Sequence, residues 1–125
     1  MRTGMDGHKN QPLSRRFGFA LAGLAAGWKT EASLRFQVVV FVCVVVALIL
    51  LRVEPVWWAL VMLACGVVLT AELFNTALEN LADHLHPEIH PRIRVVKDCA
   101  AAAVLLAVCF AGAVGIALVV HLVRR

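Results

Sequence analysis

Glu72, Asn75, Glu79 and Asp83 lie in the stretch AELFNTALENLADH, directly after Val56–Ala71, a run without a single charge. On a helix, steps of three and seven residues bring Glu72, Asn75 and Glu79 to within about 60° of one another, and Asp83 continues that face. A carboxylate at membrane depth costs roughly 2.5–3.5 kcal/mol on insertion scales. Two carboxylates and an amide converging after an apolar run therefore point to a site that handles a cation or a phosphate and faces the interior of a helix bundle. The alternative, a polar patch that only holds helices together, rarely needs two ionisable groups.

Three further residues belong with this face. Glu31 follows the basic, Gly-containing stretch ending in Lys29, and Lys97–Asp98 open the last apolar run. Carboxylates in this number suit Mg²⁺, a hard cation that takes oxygen ligands and shares them with phosphates. Lys97 can act as a point charge on a phosphate. Phosphoryl transfer is mostly positioning and charge stabilisation, so carboxylates, a metal and a lysine suffice for it. Glu72, the deepest carboxylate, is placed to accept a proton from a substrate hydroxyl. Each outer residue also has a purely local reading. Glu31 can pair with Arg35 at i,i+4, Asp98 can complement a helix N-terminus, and Lys97 can anchor at the interface.

These residues need a membrane scaffold to position them. The chain has 125 residues, 62% of them hydrophobic, and a mean hydropathy of +0.85, whereas a soluble domain averages about 45–50% apolar. The expected fold is an all-α membrane protein with an N-terminal amphipathic surface helix and three transmembrane helices. Residues 1–11 are polar and expected to be disordered, and the length allows one domain, expected over 12–125. Within it the surface helix is expected at 12–30, with Pro12 at its start, Ser14 as a cap, and Phe17, Leu21 and Leu24 on one face. The spans are expected at 34–51, 56–85 and 94–122. The run VVVFVCVVV would suggest a strand in water, but in lipid only helices and closed barrels satisfy the backbone. Trp57–Trp58 mark an interface.

Basic residues suggest the orientation. Arg2, Lys9, Arg15, Arg16, Lys29 and Arg35 precede or open the first span, and Arg92, Arg94 and Lys97 surround the second loop, whereas the first loop has only Arg52. The positive-inside rule places the N-terminus and the second loop in the cytoplasm, with Arg124 and Arg125 on the far side. The net charge of +4 then speaks to lipid headgroups, since no aromatic–basic interleaving argues for nucleic acid. The row Cys99, Ala103, Ala107, Ala111, Gly115 predicts close helix packing, within the chain or between chains.

Other motifs fail. GLAAGWKT has Trp28 between Gly27 and Lys29 where a P-loop needs Gly-Lys. The four cysteines have no metal-ligand spacing. His84, His86 and His90 fall in a segment with Pro87 and Pro91 and read as a solvated loop. The first 30 residues hold no apolar core long enough for a cleaved signal peptide.

The stretch ELFNTALENLADHLHPEIHPRIRVVKDCAAAAVLLA closely resembles the prokaryotic diacylglycerol kinase family, through E-x-x-N-(S/T)-A-(I/L)-E followed by K-D-x-x-(A/S)-A. Upstream, GLAAGWKTEASLRFQ resembles a second family segment, and the likeness runs from about Arg15 to Gly115. The resemblance implies a homotrimer of the bacterial inner membrane, multi-pass, that phosphorylates a lipid alcohol with MgATP at sites between subunits. It implies Glu31 and Glu79 as metal–ATP carboxylates, Glu72 as the catalytic base, Asn75, Lys97 and Asp98 as the supporting polar shell, and Arg15 near the phosphates. Gln37 stands where the diacylglycerol-using branch often has Glu, and NTALEN with the HP text after it resembles the undecaprenol-using branch. Diacylglycerol, giving phosphatidic acid, is the expected acceptor and undecaprenol the alternative. Readings from other classes are a small ion channel with a Glu72–Glu79 ring and a non-catalytic bundle subunit.

Overall fold

The structure, a computed structural model, describes residues 10–125; most of the expected disordered segment, and Arg2 and Lys9, lie outside the described residues. Four helices follow in order: α1 (Leu13–Thr30), α2 (Ala32–Leu51), α3 (Pro55–Leu85) and α4 (Pro91–Val123). All the described regular structure is helical, including the valine-rich run in α2. By length and composition, α2, α3 and α4 can each cross a membrane.

α1 starts after Pro12, which takes the N-cap position, and no side chain caps the helix. Ser14 therefore sits inside the first turn and is not the cap expected of it. Phe17, Leu21 and Leu24 are all exposed, as an interfacial helix requires. The other end is sealed from the next helix. The Arg35 guanidinium donates to the carbonyls of Trp28 at 2.7 Å and Lys29 at 3.2 Å, satisfying orphan acceptors at the negative end of α1. This is the observed use of Arg35, in place of a pair with Glu31. The one residue between α1 and α2 is Glu31, with extended backbone (φ −110, ψ 110). α1 is docked at Gly27, which is buried. A Cβ there would lie 2.9 Å from Leu34 Cδ2 and 3.2 Å from Leu73 Cδ2, so glycine permits the close approach to both α2 and α3.

The α2–α3 connection closes a tight hairpin. Arg52 adopts the left-handed conformation (φ 49). The Val53 N–H donates to Leu48 O at 3.5 Å and the Arg52 N–H to Ile49 O at 3.2 Å. That is the Schellman pattern, and its usual hydrophobic contact is present: Leu48 and Val53 are buried together with Val61 and Leu118. Trp57 and Trp58 pack against this cluster and are only half exposed.

α3 and α4 are long antiparallel partners. α4 starts at Pro91, three residues before the expected start, because proline fits the first helical turn and breaks only helix interiors. His90 caps it, its Nδ1 accepting from the Arg92 N–H at 3.2 Å. On α4 the residues withdrawn from solvent form a run of Ile93, Lys97, Ala100, Val104, Ala107, Ala111, Val114, Leu118 and His121, with Leu122 beside its end. Their alternating steps of four and three keep one stripe on a helix of 3.6 residues per turn. The expected row at every fourth residue precesses off that stripe, and Cys99, Ala103 and Gly115 are exposed. The backbones of α2 and α3 approach closely but those of α2 and α4 do not among the described residues, so Leu48 and Leu118 share their cluster through side chains alone. The gap leaves an apolar cavity of about 440 Å³, with Gln37, Phe41, Cys65, Val68, Ala111 and Leu118 on its walls.

Candidate functional site

The α3 seam that packs the bundle also carries the polar residues. Val61, Val68, Glu72, Thr76 and Ala82 are the buried residues of α3, so Glu72 and Thr76 prolong the apolar stripe of the hairpin end. Depth follows from helical rise. Glu72 is about 26 Å along α3 from Pro55, and Glu79 about 36 Å, at 1.5 Å per residue. A hydrocarbon core of about 30 Å that begins near Pro55 therefore ends between the two. With the layer so placed, Glu72 would fall just inside it and Glu79 just outside it.

Glu72 is 5% exposed. Its Oε2 accepts a hydrogen bond from Ser33 Oγ at 3.2 Å, across from the first turn of α2. Among the described residues that is the donor the carboxylate has. Thr76, one turn on, is 8% exposed, and its carbonyl accepts from the Asn80 side-chain amide at 2.8 Å. Asn75 Oδ1 is buried and has no hydrogen-bond partner; the residue borders an apolar groove with Phe74, Leu78, Ala100 and Ala103. An orphaned buried carbonyl oxygen is costly and rare, so this atom is set up to accept a bond from something outside the single chain's described residues.

The outer residues divide. Glu31 and Glu79 are half-buried, and neither carboxylate forms an ion pair or hydrogen bond among the described residues. Lys97 pairs with Asp83, joining α4 to α3. Asp98 lies 4.0 Å from Arg94 Nε on the same helix, both of them exposed. Because α4 opens at Pro91, Lys97 and Asp98 sit in its second turn and do not serve the helix terminus. Arg15 donates to Gln11 Oε1 at 3.2 Å, at the opposite end of α1 from Glu31.

No group of three or more His, Cys, Asp or Glu close enough to hold a metal is present among the described residues. A self-contained metal centre is therefore not built among the described residues. A Mg²⁺ ion that arrives with phosphates needs only one or two carboxylates, and the unpaired Glu31 and Glu79 fit that lesser demand. His84 lies in the last turn of α3 and not in the loop expected for it; His86 and His90 are in the connection, all three are exposed, and His90 caps α4. All four cysteines are free.

Ser33 and Thr76 were not among the residues that spacing singled out. Ser33 does carry a signal: it is the one hydroxyl residue between Thr30 and Thr70.

Comparison with known proteins bears on the family of the chain. Residues 18–119 match the sequence profile of prokaryotic diacylglycerol kinase. A diacylglycerol kinase of Synechocystis is 37% identical over 100 residues, covering 79% of this chain. One of Helicobacter pylori strain 26695 is 33% identical over 100 residues, 78% of this chain and 77% of the relative. One of Escherichia coli K12 is 32% identical over 91 residues, 73% of this chain and 75% of the relative. The match spans 57% of the Synechocystis protein's length.

Proposed function

Because the chain belongs to the prokaryotic diacylglycerol kinase family, we propose that it transfers the γ-phosphoryl group of ATP to the hydroxyl of diacylglycerol, giving phosphatidic acid. The observation that carries this reading is the buried Glu72 at the edge of the apolar layer, two helical turns below the unpaired Glu79 on the same face of α3. A lipid alcohol presents its hydroxyl at that depth, and a nucleotide approaches from the water.

Glu72 accepts the proton of the acceptor hydroxyl, and that oxygen attacks the γ-phosphorus in line with the bond to the β-phosphate. The bond to the leaving oxygen breaks, and ADP departs. Glu31 and Glu79 are the carboxylates that would hold Mg²⁺, which neutralises charge on the phosphates when bound. Asn75 offers its unpartnered oxygen to the acceptor or the nucleotide. Lys97, in its pair with Asp83, and Asp98, in its contact with Arg94, set the charge along the rim. Arg15 lies about 24 Å along α1 from Glu31 at 1.5 Å per residue, a separation that a site between subunits of a homotrimer would bridge with Arg15 of another copy. The proposed setting is the bacterial inner membrane, with the N-terminus in the cytoplasm. A reporter that is inactive outside the cytoplasm, fused to either end, tests that orientation; a C-terminal fusion reporting the cytoplasm overturns it.

The decisive experiment is purified protein in mixed micelles with labelled ATP and a panel of lipid alcohols. Label in phosphatidic acid that depends on Mg²⁺ is the expected result. Undecaprenol is the second acceptor, favoured by Gln37 and the NTALEN text. An apolar pocket discriminates by only about 1–3 kcal/mol per methylene, so both alcohols should react, with diacylglycerol modestly ahead at matched mole fraction. A hundredfold preference for undecaprenol would reverse the assignment. The channel reading is disfavoured because Val56–Ala71 carries no charge, whereas a pore needs polar groups along its length.

A further inference from the structure

We propose that Ser33 is a positioning residue for the candidate base, holding one oxygen of Glu72 so that the other faces the acceptor hydroxyl. This rests on the reading of Glu72 as the base.

The hydrogen bond joins residues 39 apart in sequence and connects two helices, with Ser33 Oγ 3.2 Å from Glu72 Oε2. Serine near a helix start ordinarily spends its hydroxyl on the backbone of its own helix. α2 has no side-chain cap, and Ser33 spends its hydroxyl on Glu72 instead. Glutamate has three side-chain torsions, and a buried carboxylate with no donor would be both costly and free to turn. One donor on Oε2 fixes the carboxyl plane and leaves Oε1 as the proton acceptor. Ser33 also sits two residues beyond Glu31, in the first turn of α2. The bond therefore ties the helix end that carries the candidate nucleotide carboxylate to the helix that carries the candidate base. α1, seated at Gly27 against Leu34 and Leu73, holds the same corner by apolar contact, and the Ser33–Glu72 bond adds a directional polar tie to it. The positive end of the α2 dipole favours the anion in the same place.

The test uses the full chain in mixed micelles with labelled ATP and diacylglycerol. Ser33→Ala is expected to lower kcat about tenfold, a modest share of what misplacement of a reacting group can cost, with KM for ATP unchanged within about twofold. Ser33→Thr keeps the hydroxyl and should restore most of the rate, whereas Ser33→Val, of the same shape, should not. This Thr–Val pair decides the matter even if the alanine variant is poorly folded. In a Glu72→Gln background, Ser33→Ala should have no further effect on the residual rate, because a hydroxyl that acts through Glu72 has nothing left to position. Wild-type kcat in Ser33→Ala, equal rates in the Thr and Val variants, or an undiminished loss in the Glu72→Gln background would overturn the inference and leave the kinase reading standing. A wild-type chain that phosphorylates no lipid alcohol overturns both.

Discussion

Near Arg52 the bundle is held by shape. Leu48, 1% exposed, packs with Val53, Val61 and Leu118, a Schellman turn locks the chain reversal, and Trp57 lies against His121 with ring centroids 5.3 Å apart. The polar groups there interact loosely, His121 Nε2 standing 3.8 Å from Glu54 Oε1, beyond hydrogen-bonding distance. Around Glu72 the balance reverses. The contacts are a single Ser33 hydroxyl, a Lys97–Asp83 pair and an asparagine oxygen with no partner. One end is a clamp of interlocked side chains with one unpartnered nitrogen, His121 Nε2, at its edge, and the other is held mainly by a few polar groups, Asn75 Oδ1 among them unpartnered. Under the proposed function the molecule admits a nucleotide and a lipid headgroup, and it needs its adaptable end where they bind and its rigid end elsewhere.

Substitutions at the two ends should therefore fail in different ways. The largest effect is expected at the polar end. Glu72→Gln should keep nucleotide binding and lose turnover by about 10²–10⁴-fold, the range for a missing general base. Glu79→Gln should lose Mg²⁺-dependent nucleotide binding instead. Nucleotide titration beside single-turnover rates separates the two, and near-normal turnover in both would show that the polar end is structural after all.

At the clamp, Leu48→Ala should lower stability by about 2 kcal/mol with little change in rate at low temperature. The unfolded reference is already in lipid, so the cavity left behind accounts for most of that loss. Thermal unfolding in detergent, read beside kcat, checks it; a rate loss without a fall in Tm would erase the contrast between the ends.

Gly27→Ala should matter less. Its new methyl meets the tips of Leu34 and Leu73, which can rotate, and alanine is the better helix former. A net stability loss of about 1 kcal/mol or less is expected, with a fewfold fall in rate because α1 is displaced from α2 and α3. The smallest effect belongs to Arg52→Gly. Relief of the left-handed arginine should exceed the added chain entropy by less than about 1 kcal/mol, so Tm rises slightly and activity is unchanged.

Much of the scaffold is legible from apolar run length. α2 and α3 fall within two residues of their expected bounds, because in lipid a long apolar run has little choice but helix. The start of α4 was displaced by treating Pro91 as a breaker when it occupies a first turn. Its packing stripe was misjudged because a step of four residues overshoots a 3.6-residue turn. The carboxylate face of α3 is equally legible, since Glu72 and Glu79 share one helix and spacing alone relates them. What joins different helices is not. That Ser33 reaches Glu72, that Lys97 is engaged by Asp83, and that Arg35 caps α1 and leaves Glu31 unpaired all depend on how α1, α2 and α4 stand against α3.

The single extended residue between α1 and α2 has a consequence for how such chains can vary. Glu31 is at once the joint and a candidate ligand, and only a few positions separate Gly27, where α1 is seated, from Ser33, which reaches Glu72. One residue added or removed between them would turn everything downstream by about 100° around the helix axis. Sequence drift in this segment should accordingly proceed by replacement, with insertions and deletions confined to places such as the loop from His86 to His90, where slack in the chain costs no alignment.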